Sequence, residues 1–251
     1  MSVSRRATRD TSISIPASEL DAASTLALKP DRTITDGLRE LDGDGDGLKQ
    51  CLSYHDSGLA VLSAPVNPFE WKAVSGDRVK ELLHRLARQF DLVLVDTGST
   101  LGDVSQAALE AASLILWLTT PEYASVRDSL QAIQAVRSLG LPEDRIRVVL
   151  NVTSLDIEVR PSSIEDALGR TIFWTIPNDR LLRRSAQLGQ ALVDAHPNSP
   201  AAANFADLAL VLSGGVPSPS RNGSLLRRLF ASLDGGLLKR DRLKAKEEVK
   251  S

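Results

Sequence analysis

Apolar residues fall in two rhythms along the chain. Short continuous runs at 58–64 (G-L-A-V-L-S-A), 92–95 (L-V-L-V), 114–118 (L-I-L-W-L), 146–152 (I-R-V-V-L-N-V) and 171–176 (T-I-F-W-T-I) have the length and β-branched content of strands. The runs at 92–95 and 114–118 have the pattern of strands inside a parallel sheet covered on both faces. Residues 12–15 alternate polar and apolar and predict a further short strand, stopped by Pro16. Between the runs, apolar residues recur every three or four positions. Val79, Leu82, Leu83, Leu86 and Phe90 mark one face of a helix over 77–90. Val126, Leu130, Ile133 and Val136 mark another, with a capping-box-like start at Ser125 to Asp128 and a stop at Gly140 and Pro142. Further helices are predicted over 17–28 behind Ser18, over 102–112, over 162–168 closed by Gly169, over 181–188 closed by Gly189, and from Ser199-Pro200 onward.

Strand and helix alternating with short turns predict an α/β fold: a doubly wound, mostly parallel sheet with helices on both faces. The chain divides into an arm at 1–10 expected to be disordered, an α/β domain at 11–213, a Gly/Pro/Ser-rich linker at 214–223 and a basic amphipathic tail at 224–251.

The 251 residues suffice for one such domain plus a tail. The net charge of −2 gives no global attraction to nucleic acid, and no helix-turn-helix pattern stands out, so no nucleic-acid partner is expected. The lone Cys51 excludes an internal disulfide and fits a reducing compartment. No apolar run nears the roughly 18 residues of a membrane span, and the basic start lacks the apolar core of a secretory signal. The cytoplasm is the expected location.

Chemistry concentrates after two of the runs. Asp96, Thr97 and Gly98 end the 92–95 run, and an acid at the carboxyl end of a parallel strand faces the crevice where open α/β sheets bind ligands. Asn151 ends another run, and its amide can donate and accept together. Asp42, Asp44 and Asp46, with Gly47, match the early positions of a calcium-binding loop, but Ser53 stands where a bidentate Glu is required. The expected reading of that stretch is an acidic turn, with a weak calcium site as the alternative. His84 has no partner at ligand spacing and reads as a surface or packing residue.

The run V-L-V-D-T-G-S-T at 93–100 resembles the Walker B and switch segment of the MinD/ParA group of P-loop ATPases. T-T-P-E-Y-A-S-V-R-D at 119–128 and K-P-D-R-T-I-T-D-G-L-R-E at 29–40 resemble later and earlier segments of that group, and the CpaE/TadZ branch, associated with assembly and polar placement of pili, is the most similar variety. The resemblance covers about 12–213. It implies that Asp96 holds magnesium, that Thr97 and Gly98 sense the terminal phosphate, and that Asn151, Pro177 and Asn178 receive the adenine of ATP. It implies a homodimer that contacts pilus or secretion machinery at the membrane. Two departures stand out. Ser14 and Pro16 replace expected acids, and no G-x-x-x-x-G-K-[ST] phosphate loop occurs in the sequence. Weak or absent catalysis is therefore expected. The alternatives are a nucleotide-independent scaffold or dimerisation module, and a truncated form of an active ATPase.

The tail carries its own signal. Ser224 can cap a helix on which Leu225, Leu226, Leu229, Phe230 and Leu233 form one stripe, flanked by Arg227 and Arg228. From Gly214 onward nine Lys/Arg face four Asp/Glu, a net +5. A basic amphipathic helix behind a linker predicts an interfacial contact with the inner face of the membrane, or with a protein partner.

Overall fold

The computed structural model describes residues 10–14, 26, 28–43, 46–65, 67–98, 101–141, 143–154 and 158–215. Seven strands and eight α-helices are found among them. The strands are β1 (Asp10–Ser14), β2 (Ser53–Tyr54), β3 (Ala60–Val61), β4 (Leu92–Asp96), β5 (Ile115–Thr119), β6 (Ile146–Asn151) and β7 (Ile172–Ile176). The helices are α1 (Ile34–Arg39), α2 (Gly76–Gln89), α3 (Asp103–Ala111), α4 (Tyr123–Ser138), α5 (Pro161–Leu168), α6 (Arg180–Gln187), α7 (Leu192–Ala195) and α8 (Pro200–Leu212). Of the helix expected at 17–28 only Leu26 and Leu28 are described, neither of them helical, and the tail helix from 224, with its membrane residues, lies outside the described residues.

The strands form two sheets rather than one. The first has the order β2-β3-β1-β4 and the second β5-β6-β7. All pairings are parallel except β2 with β3. Strand β1 runs beside β4 over its full length, Asp10 opposite Leu92 through Ser14 opposite Asp96. Strand β5 pairs with β6 from Ile115–Ile146 to Thr119–Leu150. The expected mostly parallel α/β architecture is therefore present. The 58–64 run gives only two residues of ladder, although Leu62, Ser63 and Ala64 beyond them are buried.

Helix α2 shows why the sequence folds as it does. Its Val79, Leu82 and Leu86 are fully buried, matching the predicted stripe, and each such side chain contributes about 1.5–3 kcal/mol when removed from water. They meet Ile34, Leu38, Leu48 and Leu62 in the core of the first sheet. Helices α4 and α5 cover one face of the second sheet through Val126, Ile133, Val136 and Ile164. Helix α8 covers the opposite face through Leu208 and Val211, against Val149, Trp174 and Ile176. Helix α3 serves both halves: Ala108 packs into the first core and Leu109 into the second. A Lys80–Glu110 ion pair of 2.9 Å ties α2 to α3. Arg145, just ahead of β6, donates to the Ala112 carbonyl after α3 at 3.2 Å.

Two expectations need correction here. Strands β4 and β5 are not buried on both faces. Leu92 and Leu94 are 38% and 44% exposed, and Leu118 is 58% exposed. The reason is positional: each strand ends its sheet, and the core under α8 takes in Leu116 of β5 but not Leu118. Helix α4 also begins at Tyr123 rather than behind Ser125. The Ser125 hydroxyl is turned instead to the preceding loop, accepting from the Thr120 N–H at 3.0 Å.

Candidate functional site

The predicted residues stand at the carboxyl ends of strands: Asp96, Thr97 and Gly98 at β4 of the first sheet, and Asn151, Pro177 and Asn178 at β6 and β7 of the second. Asp96 is the last residue of β4 and is exposed. Its Oδ1 accepts the Gly98 N–H at 3.1 Å, so one carboxylate oxygen is engaged in shaping the loop. Gly98 has φ 63°, a left-handed conformation that a side chain would strain. The Thr97 carbonyl accepts from the Ser105 hydroxyl of α3 at 3.4 Å, which fixes the loop to the helix that follows it.

The second cluster is built by the β6–β7 ladder. Asn151 lies opposite Ile176, and the Val152 N–H donates to the Ile176 carbonyl at 3.0 Å. Pro177 and Asn178 follow at once, so all three predicted base-end residues sit side by side, each half-buried. The Asn151 side-chain amide makes no hydrogen bond to another described residue.

Three other polar groups organise this end, and the sequence reading assigned none of them. Thr119, buried at the end of β5, shares hydroxyl contacts with Ser125 at 3.1 Å and Ser129 at 3.0 Å. Asp103, at the start of α3, accepts the Gly76 N–H at 2.6 Å and so joins the first residues of α2 and α3. Asp179 caps α6 through the Leu181 N–H at 2.9 Å and also takes the Ala201 N–H of α8 at 3.2 Å. Burial opposes ionisation of Asp179, but the Leu181 and Ala201 N–H groups, with the Ser199 hydroxyl, outweigh it and hold the carboxyl below its ordinary range. An Asp directly before a helical run is a capping signal in sequence; the long-range bond to α8 has no local signature.

In the acidic stretch at 42–47, Asp42 closes a 3-10 turn over Glu40–Asp42 and Asp46 opens another over Asp46–Cys51, while residues 44 and 45 lie outside the described residues. The Asp42 carboxylate is paired with Arg78 at 2.6 and 3.0 Å, which lowers its pKa chiefly through that hydrogen bond. No cluster of three or more metal-ligating side chains occurs among the described residues. His84 is exposed on α2.

No family model matches the chain. An uncharacterized ATP-binding protein of Methanocaldococcus jannaschii is 26% identical over 175 residues, which is 69% of this chain and 65% of that protein. The septum site-determining protein MinD of Thermotoga maritima is 24% identical over 150 residues, 57% of this chain and 55% of that protein. The match thus spans about two thirds or less of these relatives' own length. A ParA family ATPase from Chlorobium tepidum superposes with a TM-score of 0.76 at 23% identity, covering 82% of this chain and 88% of that one. The fold is that of the ParA and MinD ATPases. A second MinD, from Pyrococcus horikoshii and complexed with Mg-ADP, superposes with a TM-score of 0.69 at 18% identity, over 81% of this chain and 83% of that one.

Within the ParA/MinD fold of this chain, the donor set suits one part of a nucleotide better than another. Asn151, Pro177 and Asn178 supply an amide and backbone groups next to one another, fit for the edge of a base. Only Oδ1 of Asp96 is engaged, by the Gly98 N–H. No G-x-x-x-x-G-K-[ST] pattern occurs in the sequence.

Proposed function

We propose that this chain is a MinD/ParA-type factor, of the CpaE/TadZ kind, that places or assembles a pilus or secretion machine and binds adenine nucleotide at the strand ends. The observation that carries this reading is the β6–β7 register, in which Asn151 lies opposite Ile176 and so next to Pro177 and Asn178 at the carboxyl end of the second sheet, while Asp96 ends β4 of the first. The bound Mg-ADP in the Pyrococcus horikoshii MinD supports it. So does the MinC:MinD complex of Aquifex aeolicus, which superposes with a TM-score of 0.68 at 20% identity and speaks for action through a protein partner. In this reading Asn151 orients the base, Asp96 holds magnesium through water, and Thr97 and Gly98 form the loop that responds to the terminal phosphate. Magnesium and nucleotide supply the charge that two subunits close around; the chain's own residues bind and orient. The functional unit is a cytoplasmic homodimer whose basic tail, residues 224–251, adds attraction to an anionic membrane surface.

Calorimetry of ATP and ADP with and without magnesium tests the reading. Magnesium-dependent micromolar binding, weakened at least tenfold in Asp96→Ala and in Asn151→Ala, is the expected outcome. No heat at millimolar nucleotide would sink it. A nucleotide-independent scaffold is then favoured by one specific observation: the bare leucines of β4 and β5 offer a docking face without any ligand.

A further inference from the structure

An open cleft of about 630 Å³ lies apart from the strand-end residues, none of which lines it. Its volume is that of a small-molecule site. The first wall is the β2–β3 turn, with Tyr54, His55 and Asp56, together with Leu26 and Leu28. The turn is closed by the His55 N–H on the Leu59 carbonyl and the Gly58 N–H on the His55 carbonyl, both at 2.9 Å. It stands just before β3, which runs parallel to β1, as β4 does. This wall is therefore at the amino end of the first sheet, the end opposite Asp96. The second wall is the segment from the end of α6 through α7, with Ala191, Asp194 and Ala195. Gly189, at φ 64°, ends α6, and the Gln190 N–H donates back to the Ser185 carbonyl at 2.9 Å, which fixes this wall to the helix.

The charge of the lining has one sign. Each wall contributes one carboxylate, Asp56 on the first and Asp194 on the second, and no lysine or arginine lines the cleft. Neither carboxylate enters an ion pair or a side-chain hydrogen bond among the described residues. His55 does not offset them. Its Nδ1 accepts the Ser57 N–H at 3.2 Å, which requires the neutral ring with the proton on Nε2. The remaining surface is apolar at Leu26, Leu28, Ala191 and Ala195, beside the ring of Tyr54, which is 58% exposed. A concave surface of one sign concentrates counter-ions, and the lining selects among them. A bare metal ion would leave the aliphatic surface unused, and no cluster of three or more metal-ligating side chains occurs among the described residues. One exposed ion pair contributes little, so a single ammonium is held poorly; two joined by a chain act together. We propose that this cleft binds an aliphatic diamine, one ammonium at Asp56 and the other at Asp194, with the methylene chain along the leucines and alanines and the Tyr54 ring available to a cation. Since the two walls belong to different halves of the molecule, the bound diamine ties the halves together at the end away from the strand-end site.

The inference does not depend on nucleotide binding. Its test is calorimetric titration of the full chain, at constant ionic strength, with putrescine, cadaverine and hexamethylenediamine, and with hexylamine as the single-ammonium control. Saturable one-to-one binding in the millimolar range or tighter is expected for at least one diamine, and at least tenfold weaker binding for hexylamine. Asp56→Asn and Asp194→Asn, judged folded by circular dichroism, are each expected to weaken the diamine at least tenfold. Asp166→Asn, an exposed carboxylate on α5 outside the cleft, is expected to leave it unchanged. Hydrogen–deuterium exchange with the diamine bound is expected to slow at least twofold at residues 54–56 and at residues 189–195. No saturation by tens of millimolar of any diamine would overturn the proposal. So would equal binding of hexylamine, equal loss in Asp166→Asn, or slowed exchange at one wall without the other.

Discussion

Asp179 shows how much a single side chain can hold in this fold. One carboxylate caps α6 and reaches the first turn of α8. Asp179→Ala is expected to destabilise the chain by about 1–2 kcal/mol, the range for a lost cap, measured by urea unfolding. The pH dependence has a definite sign. The folded pKa lies below the ordinary value, so its contribution is present above the unfolded carboxylate pKa, about 3.9, and fades as pH falls toward and through the folded value. Asp179→Asn is expected to flatten the acid limb of a stability–pH curve below about pH 4 relative to the parent chain. Equal acid limbs would mean that the two N–H groups are satisfied otherwise. The sequence already showed an Asp ahead of a helical run. It did not show Ala201, 22 positions away, because that bond exists only once α7 has turned the chain back.

At the scale of elements, the packing of α2 against α3 rests on close backbone approach. A Cβ placed on Gly76 would sit 2.8 Å from the Asp103 carbonyl oxygen and its carboxylate. Gly76→Ala is therefore expected to push the two helix starts apart and lower stability by about 1–3 kcal/mol, the usual penalty of overpacking, seen as a lower thermal midpoint. A neutral result would mean that the helices slide without loss. The elements themselves were largely legible. The apolar stripe of α2, the β6 run and the Ser199-Pro200 start of α8 appear where periodicity and capping chemistry put them. The β2–β3 pair was not, since two residues of ladder leave no periodic trace. The start of α4 was misplaced because a hydroxyl that can cap a helix can equally bond the loop before it, as Ser125 does. Burial of β4 and β5 was misjudged for a more general reason. An apolar run reports what a strand is suited to touch, and only the assembled fold reports what touches it. For the candidate site, Asp96 and Asn151 were legible as strand-end polar residues, while the hydroxyl cluster of Thr119, Ser125 and Ser129 depends on a turn whose shape no spacing rule encodes.

The whole molecule is two sheets with separate cores joined by α3, the Lys80–Glu110 pair and Arg145. Denaturant unfolding is expected to proceed in two steps, the half containing Trp71 separating from the half containing Trp117 and Trp174, with single-tryptophan variants reporting different midpoints. Coincident midpoints would show that α3 couples the halves into one cooperative unit. If nucleotide binds as proposed, both midpoints rise with it, since Asp96 stands on one half and Asn151 on the other.

Cys51 supplies a clock for the first of those halves. It is buried against α1, donating to the Gly47 carbonyl at 3.6 Å, and desolvation raises the thiol above its ordinary pKa. A thiol so shielded meets an alkylating reagent only during excursions that expose it, so its rate of labelling counts the openings of one half-sheet while the other stays silent. With a single cysteine in the sequence, the chain arrives carrying a chemical stopwatch for its own breathing.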